Sequence, residues 1–544
     1  MLKLSGDAGK LYSRVRDYFK SKCPFDEVKE EIEKYRPSNS IGTILERQRK
    51  VRELIEISKR VDFEKVKRLV TVRVKRRYLP DRVFVARNSE EYERALKVGI
   101  CDVVRDGFDL GYAIILNDFV NEISYEAFAP ETVVSALFEN IESFRALAEL
   151  ERDTFGNYEY MKILEELSAL EKHYRRMEEI GRIEERAHEI EAEINSEIER
   201  RLSDIKLTIT ADELLRLIEL GEVVDEIREH VSSVVEKYER ELERFGINEP
   251  VFTRTYPVRL DRDALKKSIE NVRESFSTEF YLKCLRLARR IDIGEVNSRI
   301  SFYRKLSLYR VIGDECFSFP EFSDGTEFTA GKNLLIPDAI PVSYCIGRSQ
   351  LFGREENVAV LTGANSGGKT SLLELVCQIA ILAQMGFPVN AEIARVAIYD
   401  EIFYFRRKQS SYGSGAFERA ITSIAKAVSG DGRKLILIDE FESVTEPGAG
   451  AKILASLFRI ADSKGHHVIA VSHLGDEFRE FDFLRIDGIE AQGLDENLNL
   501  IVDRQPVFGK IGKSTPELII ERLMEKSRGE MRKIFEEMLR MIRE

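Results

Sequence analysis

The chain has no tryptophan, only six cysteines and only six histidines in 544 residues. The cysteines (Cys23, Cys101, Cys284, Cys316, Cys345 and Cys377) are scattered and form no C-x-x-C pair. Neither a disulfide framework nor a zinc site is expected, and a reducing cytoplasm fits that usage. Histidine is too sparse for a metal cluster. An N-terminal signal peptide and an apolar run of membrane-spanning length are both missing, so no membrane partner is expected. Charge is abundant instead, at 33% of residues with a net of -12. That sign does not favour nucleic acid, but local patches matter more than the sum. Heavy use of Glu, Lys and Arg without Trp fits a heat-adapted protein, and equally fits long helices. A chain of this length forms several domains.

What is present centres on Gly363-Ala364-Asn365-Ser366-Gly367-Gly368-Lys369-Thr370, which follows the apolar run Val358-Ala359-Val360-Leu361. This is G-x-x-x-x-G-K-[ST], a Walker A phosphate loop, between a strand and the helix opened by Ser371-Leu372-Leu373. Glycines let backbone N–H groups wrap a phosphate chain, and the helix N-terminus adds its positive end. Lys369 is placed to reach the β- and γ-phosphates of ATP, and Thr370 to offer its hydroxyl to Mg²⁺. Lys434-Leu435-Ile436-Leu437-Ile438-Asp439-Glu440 is a second apolar strand, ending in two carboxylates. Unpaired buried acids are costly, so packing does not explain them. Asp439 matches a Walker B aspartate holding Mg²⁺, and Glu440 a general base for the attacking water. Val468-Ile469-Ala470-Val471-Ser472-His473 is a third such strand. A lone histidine is more often structural than catalytic, but His473 follows Walker B where ABC-type ATPases place a γ-phosphate sensor.

Along the chain, residues 1–67 read as helical, broken at Pro37-Ser38-Asn39-Ser40. Residues 68–130 read as a small α/β module, with strands at Leu69–Val74, Arg82–Ala86, Ile100–Val104 and Tyr112–Leu116 and a helix at Glu90–Val98. Residues 131–250 are nearly all helix. There, Leu167, Leu170, Tyr174, Met177, Ile180, Ile183, Ala187, Ile190, Ile194, Ile198 and Leu202 recur in alternating steps of three and four, a coiled-coil seam. The capping-box pattern Thr210-Ala211-Asp212-Glu213 starts a returning helix, so an antiparallel arm is expected; an ordinary bundle is the alternative. Residues 251–319 return to helix, 320–510 form the ATPase, and 511–544 form an amphipathic tail needing a partner surface.

A coiled coil ahead of a C-terminal phosphate-loop ATPase resembles two families, the SMC-like and the MutS-like. SMC-like chains split the ATPase around the coil; here Walker A and Walker B follow it together, as in MutS. Thr362-Gly363-Ala364-Asn365-Ser366-Gly367-Gly368-Lys369-Thr370 resembles that family's T-G-x-N-x-G-G-K-[ST]. Leu382-Ala383-Gln384-Met385-Gly386, Tyr399-Asp400-Glu401-Ile402-Phe403 and Ile336-Pro337-Asp338-Ala339-Ile340 resemble its L-A-Q-x-G, F-D-x-I-[FY] and I-P-N-D-[IL] segments. Asp439-Glu440 through Ala451 is similar to the D-E-x-x-x-x-T-D-P-x-E-G-A of the second bacterial branch, and the overall make-up to archaeal MutS-related proteins.

The resemblance implies a C-terminal ABC/MutS-type ATPase with a mainly α lever region and a coiled-coil clamp arm. It implies a homodimer whose two ATP sites are each completed by a serine of the other subunit. Ser414 is the first choice for that contact and Ser411 the second, in a segment that departs from the usual S-T-F-x-x-[EH]-M. The nucleotide-binding set becomes Gly363, Ala364, Asn365, Ser366, Gly367, Gly368, Lys369, Thr370 and Ser371, with Gln384 and Ser414; the metal set is Thr370 and Asp439; the catalytic set is Glu440, His473 and Lys369. Mismatch-sensing members wedge a Phe of an F-x-E motif beside the base. Phe25-Asp26-Glu27 has no domain around it to present the Phe, and the second branch's small nuclease domain has no counterpart here.

The implied function is that of an ATP-dependent DNA clamp in recombination or repair, without mismatch specificity, cytoplasmic and nucleoid-associated. Lys65, Lys67, Arg68, Arg73, Lys75, Arg76, Arg77, Arg82 and Arg87 form a basic run with Tyr78 and Phe84 interleaved. Arg73, Lys75, Arg76 and Arg77, with Arg200, Arg201 and Lys206 near the arm tip, are the candidate DNA contacts; a solvated charged face is the competing reading. Two other functions fit part of the pattern. One is an ATPase whose arms scaffold proteins without binding DNA. The other is an ABC-type motor on a membrane protein, which the coil and the MutS-like details disfavour.

Overall fold

The computed structural model describes residues 2–105, 113–180, 182–203, 210, 225–363, 367–406, 414–440, 447–494, 500–512 and 516–543. They divide into two compact units, Met1–Val61 with Ser301–Glu544, and Asp62–Ile300.

The first unit is organised by a seven-stranded sheet. In chain order its strands are β1 (Lys3–Leu4), β2 (Val358–Gly363), β3 (Glu401–Phe405), β4 (Lys434–Asp439), β5 (His467–Val471), β6 (Arg485–Ile489) and β7 (Val507–Phe508). Across the sheet the order is β1-β3-β4-β5-β2-β6-β7, parallel except for β7. Every residue of β2, β4 and β5 is buried, as a parallel sheet covered on both faces requires. Alternate side chains serve opposite faces. Val358, Val360, Ile436, Ile438, Val468 and Ala470 join a core with Ile424, Leu454 and Phe458 from the helices Ser414–Val428 and Pro447–Ser463. The other face is covered by the helix Lys369–Met385, buried throughout except at Thr370 and Ser371. The helix Gly6–Ser21 lies against that helix and buries Ala8, Leu11, Val15 and Phe19, one apolar stripe at helical spacing. The chain's first strand thus sits on the edge of the sheet built by its last third. A smaller four-stranded sheet flanks it, made of Glu321–Phe322, Thr326–Gly331, Val342–Ile346 and Ile393–Val396.

In the second unit, Asp102–Val104, Arg82–Val85 and Ile114–Ile115 form a three-stranded parallel sheet. Its helix Ser89–Val98 is capped by the Asn88 side chain, which accepts from Glu91 N. The strand expected at Leu69–Val74 does not form. Side chains take the place of a neighbouring strand: Ser143 Oγ accepts from Val70 N (2.7 Å), Asn297 Oδ1 accepts from Val72 N (2.8 Å), and Asn297 Nδ2 donates to Val72 O (2.9 Å).

The expected apolar seam is divided. The helix Glu159–Ile180 lies against Ile141–Phe155 and Arg262–Ala288 and buries Leu167 and Leu170 there. The next helix, Ile183–Ser203, packs instead on Asp225–Glu243. Ile183, Ala187, Ile190, Ile194 and Ile198 share one core with Val231, Val234, Val235 and Leu242. Arg186 meets Glu241 at 2.9 Å and Glu197 meets Lys237 at 2.7 Å, so these two helices run antiparallel. The side chains of Tyr174, Met177 and Ile180, the sequence Ala211-Asp212-Glu213 and the arm tip with Lys206 lie outside the described residues.

Asn297→Ala removes both side-chain partners of Val72 and leaves its N–H and C=O unpaired. The expected loss is about 1–3 kcal/mol of unfolding free energy, with faster hydrogen exchange at the Val72 amide. Parent-like exchange at Val72 in the variant would show that the clip does not hold this segment.

Candidate nucleotide site

Parallel strands bring their carboxyl ends to one edge, and register decides which residues meet there. Asp439 is level with Val471, Val471 with Leu361, and Leu361 with Asp487. The residues just beyond, Gly363, Glu440 and His473, therefore share the crevice where chain direction through the sheet reverses. Gly363 has φ +116, and a Cβ there would lie 2.0 Å from Ile489 O, so only glycine fits. Gly368, at φ +88, turns the chain into the helix Lys369–Met385. Ala364, Asn365 and Ser366 lie outside the described residues.

Lys369 is 2% exposed, and its Nζ donates to Gly363 O at 2.6 Å. The Thr370 hydroxyl donates to Asp439 Oδ1 at 3.0 Å, joining the phosphate-loop helix to the end of β4. Burial pushes the Asp439 carboxyl above the usual carboxylate range, while the Thr370 hydroxyl and the Arg406 guanidinium act against that rise. Glu440 has φ +46, a left-handed conformation that costs a non-glycine residue about 1–3 kcal/mol and clusters at functional sites. Its Oε1 is 3.3 Å from His473 Nε2, and the imidazole is 42% exposed.

The donor set fits Mg²⁺ and a phosphate chain. Asp439 and Thr370 offer hard oxygen ligands, and a buried ammonium resting on a carbonyl oxygen beside a glycine turn suits phosphate oxygens. Asn333 Nδ2 donates to Ser371 O (3.2 Å) and to Ser371 Oγ (3.3 Å). Ser414 opens the helix Ser414–Val428, while its side chain and the segment 407–413, with Ser411, lie outside the described residues.

Gln384 corrects the sequence reading. It is fifteen residues beyond Lys369, about 22 Å along the helix axis. Fully buried, it donates from Nε2 to Ser38 O and Tyr399 O, both at 2.8 Å, and accepts at Oε1 from Tyr399 N at 3.1 Å. It clamps backbone at the far end of the helix and does not reach the phosphate loop.

Sequence reasoning missed Glu374 and Arg406. Glu374 is buried beside the loop, accepting from Arg406 and, at 3.2 Å, from Arg14. A lone acid in an otherwise apolar helix was the available signal, because buried carboxylates need partners.

The basic run in the second unit is less free than its composition. Arg82 is buried on Glu131 at 2.6 Å, Lys65 meets Glu149 at 2.8 Å, and Lys75 meets Glu139 at 3.0 Å. Arg76 lies over the Tyr125 ring at 5.1 Å. Arg73 and Arg77 are exposed, and neither has an ion pair among the described residues. Arg201 binds Glu197 at 2.6 Å, and Arg200 is exposed.

Comparison with known proteins gives a family and relatives. Residues 359–475 match the family description MutS domain V. The "DNA-binding protein MutS2" of Pyrococcus furiosus is 39% identical over 569 aligned residues, covering 100% of both chains. The "Endonuclease MutS2" of Ligilactobacillus salivarius is 30% identical over 145 residues, 26% of this chain and 18% of that protein. The mitochondrial "DNA mismatch repair protein MSH1" of Arabidopsis thaliana is 34% identical over 122 residues, 22% of this chain and 11% of that one. The bacterial and plant matches thus span a small part of their own proteins, whereas the archaeal match is end to end.

Gln384→Ala deletes three buried hydrogen bonds to backbone. Unfolding free energy is expected to fall by about 2–4 kcal/mol, with nucleotide affinity unchanged in folded protein. A loss of nucleotide affinity without a loss of stability would return Gln384 to the binding set.

Proposed function

This chain belongs to the MutS family, in its MutS2 branch, and from that premise we propose that it is an ATP-hydrolysing, DNA-binding protein of DNA repair or recombination. In this reading it works as a two-fold dimer with composite nucleotide sites. The observation that carries the reading is the Thr370–Asp439 hydrogen bond with the strained Glu440 beside it.

Lys369 takes the β- and γ-phosphates. Thr370 and Asp439 hold Mg²⁺, which, when bound, supplies charge for the developing negative oxygens. Glu440 accepts the proton of the attacking water or orients it. His473, 3.3 Å away, keeps that carboxylate facing the phosphate side. Ser414 of the partner chain completes each site, and the two-fold relation makes the pair of sites equivalent. The tail helices Pro516–Lys526 and Glu530–Arg543 lie against each other and leave Met531, Ile534, Met538 and Met541 exposed, an apolar surface that suits a second copy of the chain.

For DNA, the relative's name and the exposed Arg73 and Arg77 support backbone binding. The antiparallel helices Ile183–Ser203 and Asp225–Glu243 are read as part of a clamp arm. Phe25-Asp26-Glu27 is not free to wedge a base: Arg304 binds Glu27 at 2.7 Å and covers the Phe25 ring. Binding is therefore indifferent to single mismatches, and branched DNA is the favoured form. Among the described residues, no helix is long and apolar enough to cross a membrane, and we place the protein in the cytoplasm with the nucleoid.

Lys369→Ala is expected to weaken nucleotide binding itself. Glu440→Gln is expected to bind ATP like the parent but turn over roughly 10²-fold more slowly. Turnover by Glu440→Gln at the parent rate would end the general-base assignment. Mixing Lys369→Ala with Ser414→Ala subunits should restore activity, because one site of the mixed dimer regains intact partners. No recovery above the separate variants counts against completion in trans.

Neutralising Arg73, Arg76 and Arg77 together is expected to weaken binding to matched and mismatched duplexes alike. The slope of log K against log salt should flatten by up to about 3, near 0.9 per lost phosphate contact. Fluorescence anisotropy over a salt series reads both. A clear preference of the parent for a mismatched duplex would overturn the backbone-only reading, and failure to bind any DNA form would favour a protein scaffold.

A further inference from the structure

One charged cluster at the crivice edge of the sheet has no part in the machinery above. Glu374 stands one helical turn beyond Thr370 and is the sole charged residue between Lys369 and the end of its helix. It is 5% exposed. Helical side chains lean toward the N-terminus, so this carboxylate lies over the turn that carries Thr370 and Ser371. Asn333 Nδ2 marks that position, reaching Ser371 O at 3.2 Å and Glu374 Oε2 at 3.5 Å.

Two guanidinium groups share Glu374 Oε1. Arg14 comes from the helix Gly6–Ser21 on the flank. Arg406 follows β3 directly, and β3 pairs with β4 so that Phe405 is level with Ile438. Continuing that register sets Arg406 beside Asp439, and each acts electrostatically on the other. A second observation points the same way. The Arg406 guanidinium lies over the Tyr404 ring, 5.6 Å from its centroid, which holds it at the end of β3 where the register meets Asp439. A guanidinium has five N–H donors, and the carboxylate occupies a minority of them. A fork of that size can hold the carboxylate and meet further oxygens as well.

We propose that Arg406 is a second cation at the phosphate end of the nucleotide site, and that Glu374 is the positioning residue that holds it there. This rests on the reading of the site as an ATPase. Lys369 approaches the phosphates from the loop, and Arg406 approaches from the strand on the metal side. A preset positive charge gains most where negative charge grows during transfer, so Arg406 contributes more to turnover than to nucleotide binding.

The test uses the full chain with MgCl₂, ATP, ADP and ADP with aluminium fluoride, a mimic of the transferring phosphoryl group. Arg406→Met is expected to lower kcat about tenfold or more, with ADP affinity within about threefold of the parent. Arg406→Lys should regain part of the rate, and Glu374→Gln should fall between Lys and Met. Arg14→Met removes the flanking partner and should stay within about twofold of the parent. Affinity for ADP with aluminium fluoride should fall with kcat across the Arg406 and Glu374 variants, while ADP affinity should not. Thermal unfolding confirms that each variant is folded. The proposal fails if folded Arg406→Met and Glu374→Gln both match the parent in rate and in binding of the mimic. It also fails if Arg14→Met is as damaging as Arg406→Met, which would make the cluster a structural brace. A parent that does not hydrolyse ATP would count against the ATPase reading alone, because binding of the mimic still decides the role of Arg406.

Discussion

A hydrogen bond of 3.0 Å between Thr370 and Asp439 joins two halves of a site that the chain builds 69 residues apart. The Walker A sequence leaves β2, and the acidic strand is β4, with β5 inserted between them. A threonine on the first turn of the loop helix must therefore reach across one intervening strand. It does so because all three strands end at the same level. A one-residue slip would turn each strand's side chains to the opposite face and carry Asp439 away from the crevice. The buried apolar side chains on both faces of β2, β4 and β5 thus secure the register on which the chemistry depends.

Beneath the phosphate loop lies a second constraint, made of buried charge. Arg485 binds Asp487 at 2.9 Å and Glu356 at 3.1 Å, and the Tyr344 hydroxyl donates to Asp487 at 2.8 Å. Burial raises the Asp487 carboxyl, and the Arg485 guanidinium opposes it. Such a network is a weak source of net stability, since desolvation offsets the attraction. Its geometry matters more. The Thr362 hydroxyl donates to Asp487 O at 3.2 Å and accepts from Gly512 N at 2.8 Å. Residue 362 precedes the turning Gly363, so β6, the segment at Gly512 and the root of the phosphate loop are tied at one point. A Cβ at Gly512 would lie 2.8 Å from Gly363 Cα, so the approach is close enough to exclude any side chain there.

The strands that could be read from sequence were those whose physics is local. β2, β4 and β5 are continuous apolar runs because both their faces are covered, and a carboxylate or histidine ending such a run has few structural explanations. The strand expected at Leu69–Val74 shows the converse. Its residues have the right propensity, yet Asn297, 225 positions away, supplies the partner atoms that another strand would have supplied. Gln384 was placed in the nucleotide set by the L-A-Q-x-G resemblance, although helix geometry alone puts it four turns from the loop. Arg406 and Glu374 could not be paired from sequence, because nothing in a single chain's periodicity says which arginine a buried acid will meet.

β1 was also beyond sequence reading, and it changes how the first unit is assembled. Lys3 and Leu4 form too short a strand to show a pattern, yet they extend the sheet beside β3, where Lys3 meets Glu401, 398 positions away. Ser38 and Asn39 add hydrogen bonds to Gln384 and Asp400. The β3 edge of the seven-stranded sheet is thereby paired by residues 3–5, which occupies backbone groups that would otherwise invite another strand. Closing so long a loop costs entropy before any contact repays it. Arg14 meets Glu374 from 360 positions away, so the ionic cluster beside Thr370 is itself one of the contacts that tie the N-terminal helices to the sheet built later in the chain.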